Sequence, residues 1–196
     1  PDIAWRYIAQ IEAGCRGALP NVAHRLIAAL DQEKALVCVL TQNVDGLHRA
    51  AGSRNVIEIH GTVHRLYCMS CGQGRRVEDY AGLAIPPECP RCGGVMRPEV
   101  VLFGEALPER AIERLESVLG QGVDAVVSIG TTSVFPYIAG PVRWAAQQGV
   151  PTVEINPGET QVSALVDHCL RMSAAEALPA LWRRMHPADP AEDRPS

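Results

Sequence analysis

Two short cysteine pairs constrain this chain more than anything else in it. Cys68-Met-Ser-Cys71 and Cys89-Pro-Arg-Cys92 share C-x2-C spacing, are separated by residues 72–88, and have Gly72, Gly93 and Gly94 beside them. Each such turn aims two sulfurs at one point, and two turns complete a tetrahedron around a metal that has no geometric preference of its own. The pattern therefore reads as a four-thiolate zinc ribbon. A redox dithiol is the competing reading, but it calls for one pair beside a βαβ unit. A secreted disulfide scaffold would be shorter and richer in cysteine, and the total of seven is odd. A closed four-sulfur shell leaves no position for water or substrate, so the zinc should stabilise a module while the chemistry lies elsewhere. Cys38, inside the apolar run Leu36–Leu40, reads as a small buried hydrophobe.

The chain has 196 residues, enough for one ordinary domain with a small insertion but not for two full domains. Hydrophobic residues make up 47% and charged residues 20%, so a core can form and a disordered chain or simple coiled coil is excluded. The formal net charge of −4 draws it neither to nucleic acid nor to an anionic membrane. No apolar run approaches the ~18 residues of a membrane span, and no basic region followed by an apolar core opens the chain. A cytoplasmic protein is expected. The chain opens at Pro1 and enters a helical pattern almost at once, which suggests that upstream residues are missing.

Apolar spacing predicts helices over 4–13 and from Pro20 to about Leu30, the first with Ala4, Tyr7, Ile8 and Ile11 as its apolar positions. Short β-branched and apolar runs predict strands at 36–40, 56–59, 100–103, 125–129 and 152–155, with helices over 109–119 and 138–148. Strand alternates with helix, which implies an open α/β sheet with helices on both faces, interrupted by a zinc module over roughly 63–99. The large domain is then discontinuous, 1–62 with 100–185, and 186–196 reads as a frayed tail.

In such sheets ligands bind beyond the carboxyl ends of the strands, and polar clusters fall there. Gln42-Asn43-Val44-Asp45 offers two amides and a carboxylate, suited to a ribose, an amide or an ordered water. Equally, Asn43 or Asp45 suits the N-terminus of a helix over 47–51. His60-Gly61 follows a strand, where an imidazole can serve as a general base near neutral pH; His48 and His64 are its rivals. Gly130-Thr131-Thr132-Ser133, between a strand and a helix, suits phosphate at a helix N-terminus, and Asn156-Pro157-Gly158 lies where a nucleotide sugar would follow. Neither a G-x-G-x-x-G fingerprint nor a Walker loop is present.

Taken in order, Pro20-Asn-x-x-His24, Thr41-Gln-Asn-Val-Asp-Gly-Leu-His48, His60-Gly61, the two cysteine pairs, Arg97-Pro-Glu-Val-Val-Leu-Phe-Gly-Glu105, Gly130-Thr-Thr and Glu154-Ile-Asn156 resemble a bacterial sirtuin. The resemblance covers about Trp5 to Leu181. It implies a Rossmann-like parallel sheet with an inserted structural zinc module, and an NAD-dependent protein lysine deacylase whose products are nicotinamide, O-acyl-ADP-ribose and the free lysine. By the same resemblance His60 is the general base acting on a ribose hydroxyl. Asn43 and Asp45 line the ribose and nicotinamide pockets with Gln42 beside the ribose. Gly130, Thr131 and Thr132 face the phosphates; Asn156, with Pro157 and Gly158, faces the adenosine ribose, and Ala174 the adenine. Val101, Leu102 and Phe103 belong to an apolar acyl-lysine tunnel, with Gly104 and Glu105 pairing the substrate peptide as an added strand. Cys68, Cys71, Cys89 and Cys92 hold the zinc. The implied partner is an acylated-lysine protein or peptide, with no nucleic acid and no membrane.

Three departures qualify the match. The family's Gly-Ala-Gly-x-Ser loop and the segment that closes over nicotinamide are absent from this sequence, which leaves either a removed upstream portion or a natural fragment with weakened NAD binding. The family's Gly-Thr-Ser reads Gly-Thr-Thr, followed by a run one residue shorter. Ile8 and Ile11 stand where acidic-acyl sirtuins carry tyrosine and arginine, which favours acetyl or longer apolar acyl groups. Two other functions share these residues: a catalytically silent acyl-lysine or partner-binding module, and a protein ADP-ribosyltransferase. A zinc-ribbon nucleic-acid binder is disfavoured, because Glu78, Asp79 and Glu88 offset Arg75-Arg76.

Overall fold

The computed structural model describes residues 2–187; of the tail expected over 186–196, residues 188–196 lie outside the described residues. The chain divides into two compact units, one formed by Pro1–Pro20 with Ala28–Glu116, the other by Asn21–Ile27 with Ser117–Ser196.

In the first unit α1 (Asp2–Cys15) buries Trp5, Ile8 and Glu12, which lie on one helical stripe. The buried face differs from the expected one, since Tyr7 and Ile11 are exposed. The indole explains the rotation: Trp5 packs edge-on against Tyr80 and donates from Nε1 to the Met96 carbonyl at 2.9 Å, so burying it satisfies both its area and its one donor. Glu12 goes in with it because Arg16 pairs with its carboxylate one turn on.

Further along, α2 (Val22–Glu33) ends near Asp31. This buried carboxylate accepts from the Arg54 amide at 2.8 Å and pairs with the Arg54 side chain, fixing the approach to β2. β1 (Cys38–Thr41) and β2 (Asn55–Glu58) then pair in parallel, joined through the short α3 (Leu47–Ala50). Next comes an antiparallel sheet of order β4-β3-β5, made of β3 (Gly61–Cys68), β4 (Gly74–Arg76) and β5 (Met96–Val100). Its inner face meets α1 in one cluster that includes Val63, Leu66, Cys68, Cys89 and Met96. Of these three strands only β5 touches a run that composition marks, and it is displaced. The strand expected over 100–103 ends at Val100, and Val101–Glu105 is loop and turn.

The second unit carries the parallel sheet β6-β7-β8, from β6 (Val126–Ile129), β7 (Thr152–Ile155) and β8 (His168–Leu170). α4 (Glu109–Gly120) precedes it, α5 (Pro136–Gln148) joins β6 to β7, and α6 (Ala174–Met185) follows β8. Ala139 and Val142 of α5 pack on Val162 with Val126 and Val166 against them. α5 opens on proline and stops at Gly149, which takes the left-handed conformation at φ 69°. Among the described residues no helix is long and apolar enough to cross a membrane.

One glycine sets how β2 runs into β3. Gly61 has φ +75°, and a Cβ built on it would lie 1.6 Å from the Glu99 carbonyl oxygen of β5. No side chain fits there, because the obstacle is backbone. Gly61→Ala should cost about 3 kcal/mol or more, from the left-handed conformation plus forced separation of β3 and β5. Urea unfolding monitored by tryptophan fluorescence checks this; an unchanged midpoint would show that the strands yield.

Candidate functional site

The tip of β1 and the junction between β2 and β3 bring several of the polar candidates together. Ile59 donates its amide to the Thr41 carbonyl at 3.0 Å, and Val63 donates to the Val44 carbonyl at 3.1 Å. The Gln42–Asp45 loop is thus laced to the segment that carries His60. Asn43 is exposed and donates its amide to Thr41 Oγ1 at 3.0 Å, while Asp45 Oδ1 accepts from the Leu47 amide at 2.9 Å. Asp45 thus forms an Asx turn just ahead of α3, whose N-cap residue is Gly46 and has no side-chain cap. His64 Nε2 lies 3.1 Å from the Asp45 carbonyl, so this second histidine braces the loop from below.

His60 is half-buried. Burial pushes its imidazole below the ordinary value of 6.5, and a hydrogen bond with the Gln42 backbone works in the opposite direction without cancelling that. The neutral ring, which is the form able to accept a proton, therefore dominates at neutral pH. A cavity of about 540 Å³ opens beside Asp45, Gly46, Thr62 and His64, with Cys15 and Asp79 across from them. Asn43 and His60 are not among its lining residues.

Val101 continues from β5 and donates its amide to the His60 carbonyl at 3.0 Å. Val101 and Leu102 are half-buried, Leu102 packing on the α1 cluster, whereas Phe103 is fully exposed. The Glu105 carboxylate is taken up inside the chain. Arg97 grips it through two bonds of 2.7 and 2.9 Å, and the Leu102 amide donates to it at 2.9 Å. Hydrogen bonds from Arg97 and from Leu102 hold the Glu105 carboxyl below its usual range. This bidentate pair bends the chain back at residues 103–104 and ends the strand at Val100. No local signal marks a pair eight residues apart across a turn.

The four cysteine sulfurs lie within 4.8 Å of one another. Cys68 Sγ is 3.5 Å from Cys92 Sγ, and Cys71 Sγ is 3.7 Å from Cys89 Sγ. Thiolates about 2.3 Å from a tetrahedral zinc are about 3.8 Å apart, so the donor set fits that ion. The two turns are built alike. Gly72 donates its amide to the Cys68 carbonyl and Gly93 to that of Cys89, and both glycines have φ near +70°. Gly94 is needed for room, since a Cβ there would sit 2.5 Å from Ser70 Oγ and 3.2 Å from Cys68 Sγ. The backbone hydrogen bond from Cys71, aided by that from Ser70, pulls the Cys68 thiol down to about 6. Backbone donors thus favour a thiolate, the species a cation requires.

In the second unit the two strand-end loops meet. Gly130 donates its amide to the Ile155 carbonyl at 2.9 Å and Gln161 donates to the Thr132 carbonyl at 3.1 Å. Asn156 Nδ2 donates to the Thr131 carbonyl at 3.0 Å, and its Oδ1 accepts from the Gly158 amide at 3.1 Å. Thr132, Pro157 and Gly158 are exposed, and Ala174 is the half-buried first residue of α6, whose start is closed by a Ser173–Glu176 capping box. α5 has no side-chain cap; it opens on Pro136, which lacks an amide hydrogen, and the Ile138 and Ala139 amides both donate to the Phe135 carbonyl at 3.0 Å. Ser133, just ahead, is 1% exposed with φ +54°, and its Oγ has no hydrogen-bond partner. A buried hydroxyl without a partner, in a loop with a left-handed non-glycine residue, is a polar group whose burial nothing among the described residues offsets. Ser133 belongs to the Gly-Thr-Thr-Ser run visible in the sequence, but its conformation does not.

Comparison with known proteins places the chain in a family. The model of the Sir2 family matches residues 3–136. The NAD-dependent protein deacylase 2 of Pseudomonas syringae pv. tomato is 49% identical over 184 residues, covering 92% of this chain and 74% of that protein. The crystal structure of a Sir2 homologue with NAD superposes with a TM-score of 0.86 at 37% identity, covering 94% of this chain and 72% of that one. A Sir2 complex with a p53 peptide and NAD+ gives 0.80 at 30% identity, covering 94% and 81%. With its Rossmann-like α/β architecture, parallel sheets and four-cysteine cluster, the chain belongs to the Sir2 family.

Proposed function

We propose that this protein is an NAD-dependent protein lysine deacylase. The observation that carries the reading is His60: an imidazole kept neutral by burial, joined to the Gln42 backbone, at the end of a strand whose neighbouring loop presents Asn43 and Asp45. The deacylase relatives and the NAD and peptide complexes of related chains support it.

NAD, when bound, supplies an anomeric carbon with a good leaving group, and the chain's own residues supply the rest. Asn43 and Asp45 orient the carboxamide and ribose by hydrogen bonds, with Gln42 beside the sugar. Once nicotinamide has been displaced by the acyl oxygen, His60 would accept the ribose hydroxyl proton at its imidazole nitrogen and so serve as the general base for acyl transfer from the lysine nitrogen to that oxygen. Val101, Leu102 and Phe103 surround the acyl-lysine stem, and Gly104 with Glu105 carries the substrate backbone. Gly130, Thr131 and Thr132 hold phosphate; Asn156, Pro157 and Gly158 take the adenosine ribose and Ala174 the adenine. An amide oxygen is a weak nucleophile, so fixed geometry and exclusion of water have to provide most of the acceleration.

Residues 63–99 form the metal module, with Cys68, Cys71, Cys89 and Cys92 on a structural zinc, and 1–62 with 100–185 carry the nucleotide and acyl-lysine chemistry. Apolar acyl groups are the preferred cargo: Ile8 is 2% exposed and neither it nor Ile11 offers a cation to an acyl carboxylate. A reducing compartment, the cytoplasm, suits a chain whose seven cysteines are all unpaired by disulfides.

His60→Ala should keep its fold and metal but lose about 10²- to 10⁴-fold in NAD-dependent deacylation of an acetyl-lysine peptide, read as free-lysine peptide formed. Full activity in that variant would remove the base from the proposal. In the parent protein kcat/KM should fall as pH drops through a midpoint below 6.5, because burial disfavours the imidazolium and keeps the base neutral to lower pH. A midpoint above that value would contradict the assignment. Metal analysis should find about one zinc per chain, lost in Cys89→Ser together with several kcal/mol of stability. Retention of stoichiometric zinc by Cys89→Ser would exclude the four-sulfur site.

A further inference from the structure

Glu154, on the middle strand β7, is 0% exposed, and a carboxylate so placed needs its lone pairs answered. The Thr160 hydroxyl donates to it, Ser163 Oγ donates at 2.6 Å, and Arg171 Nη1 donates at 2.6 Å, with the Cys169 thiol 3.7 Å away. Burial alone would raise the carboxyl, but the bonds from Ser163, Thr160 and Arg171 outweigh it and hold the group below its ordinary value.

The same Arg171 Nη1 makes a second bond, to the Gly158 carbonyl at 2.9 Å. From there the path continues: the Gly158 amide donates to Asn156 Oδ1 at 3.1 Å, and Asn156 Nδ2 donates to the Thr131 carbonyl at 3.0 Å. A buried carboxylate is thereby connected, through one guanidinium nitrogen, to the rotamer of Asn156 and to the Gly130–Thr132 loop. Arg171 is 36% exposed, so sealing the core is not its task, and the ion pair with Glu154 needs no bond to Gly158. That second bond acts on the loop alone. It fixes the outer residue of a turn that otherwise has a glycine's freedom.

We infer that Arg171 is a positioning residue for nucleotide binding: anchored by Glu154, it holds Gly158 and through it Asn156, so that both strand-end loops are preorganised for a dinucleotide. The inference rests on the NAD reading above and deepens it. Preorganisation lowers the ordering cost of binding without touching the bond that breaks. The loss of Arg171 therefore appears in nucleotide affinity, not in the chemical step or in the KM for peptide.

The test compares the parent protein with Arg171→Met, Arg171→Lys and the double variant Glu154→Gln/Arg171→Gln. The double variant leaves no buried charge unpaired and keeps the test open where Arg171→Met fails to fold. Calorimetric titration with ADP-ribose and steady-state nicotinamide release are both measured, with melting temperature as the check on folding. Arg171→Met and the double variant should weaken ADP-ribose binding and raise the NAD KM about tenfold, with kcat and peptide KM changed less than about twofold. Arg171→Lys, which keeps several donors on a cation, should return affinity to within about threefold of the parent. Unchanged ADP-ribose affinity in a folded variant overturns the proposal, as does a fall in kcat with the NAD KM unmoved, which is the mark of a merely structural role. A parent protein that neither binds ADP-ribose nor releases nicotinamide removes the NAD reading itself, and this inference with it.

Discussion

The close passage of β5 over Gly61 is the constraint on which the first unit depends. With the Glu99 carbonyl where a Cβ would be, the chain turns from the parallel β1–β2 pair into the antiparallel sheet within one residue. His60 sits immediately before that turn, and its carbonyl receives the Val101 amide as β5 ends. The proposed base and the proposed acyl-lysine segment are therefore neighbours because two backbones touch, and no side-chain interaction has to bring them together. A catalytic group held this way is less exposed to rotamer entropy in its surroundings than one supported by a loop.

Much of this was legible beforehand, for identifiable reasons. The C-x2-C-Gly repeat encodes its own geometry, because the spacing sets where the sulfurs point and the glycine takes the φ that ends each turn. β7 occupies the residues its β-branched run predicts, and β1, β2 and β6 fall within two residues of theirs. β4 and β8, three residues each and largely exposed, carry no apolar periodicity to read. The strand expected at 100–103 has the right composition but loses its ladder at Val100, where the Arg97–Glu105 pair recaptures the chain. Long-range pairing overrode local propensity there. The buried face of α1 was missed for a related reason, since the Met96 carbonyl that receives the Trp5 indole lies far along the chain.

Three carboxylates, Glu12, Asp31 and Glu154, are almost wholly buried, and each is met by an arginine whose head reaches water. Coulomb attraction at such half-exposed pairs is screened and is worth little alone. What offsets the burial of two of these acids is an added set of neutral donors, the Arg54 amide for Asp31 and two hydroxyls for Glu154, whereas Glu12 is answered by both side-chain nitrogens of Arg16 that reach it. Directional bonds of this kind carry positional information that apolar packing lacks, and they recur where a loop has to be held at a defined place. Asp31 holds the turn into β2, and Glu154 the segment after β7.

Asp45 shows why structural and functional readings of one residue need not compete. Its Oδ1 is committed to the Leu47 amide, so the carboxylate cannot swing, while the group still borders the cavity of about 540 Å³. An acid used in this way loses one acceptor site and gains a fixed direction for the other oxygen. The Asx turn is thus the means by which the loop after β1 holds a preset acceptor, and the His64 ring at the Asp45 carbonyl restricts the remaining freedom of its backbone. Residues at strand ends that look like ordinary turn formers are, on this argument, the ones best suited to orient a ligand, because the turn has already ordered them before the ligand arrives.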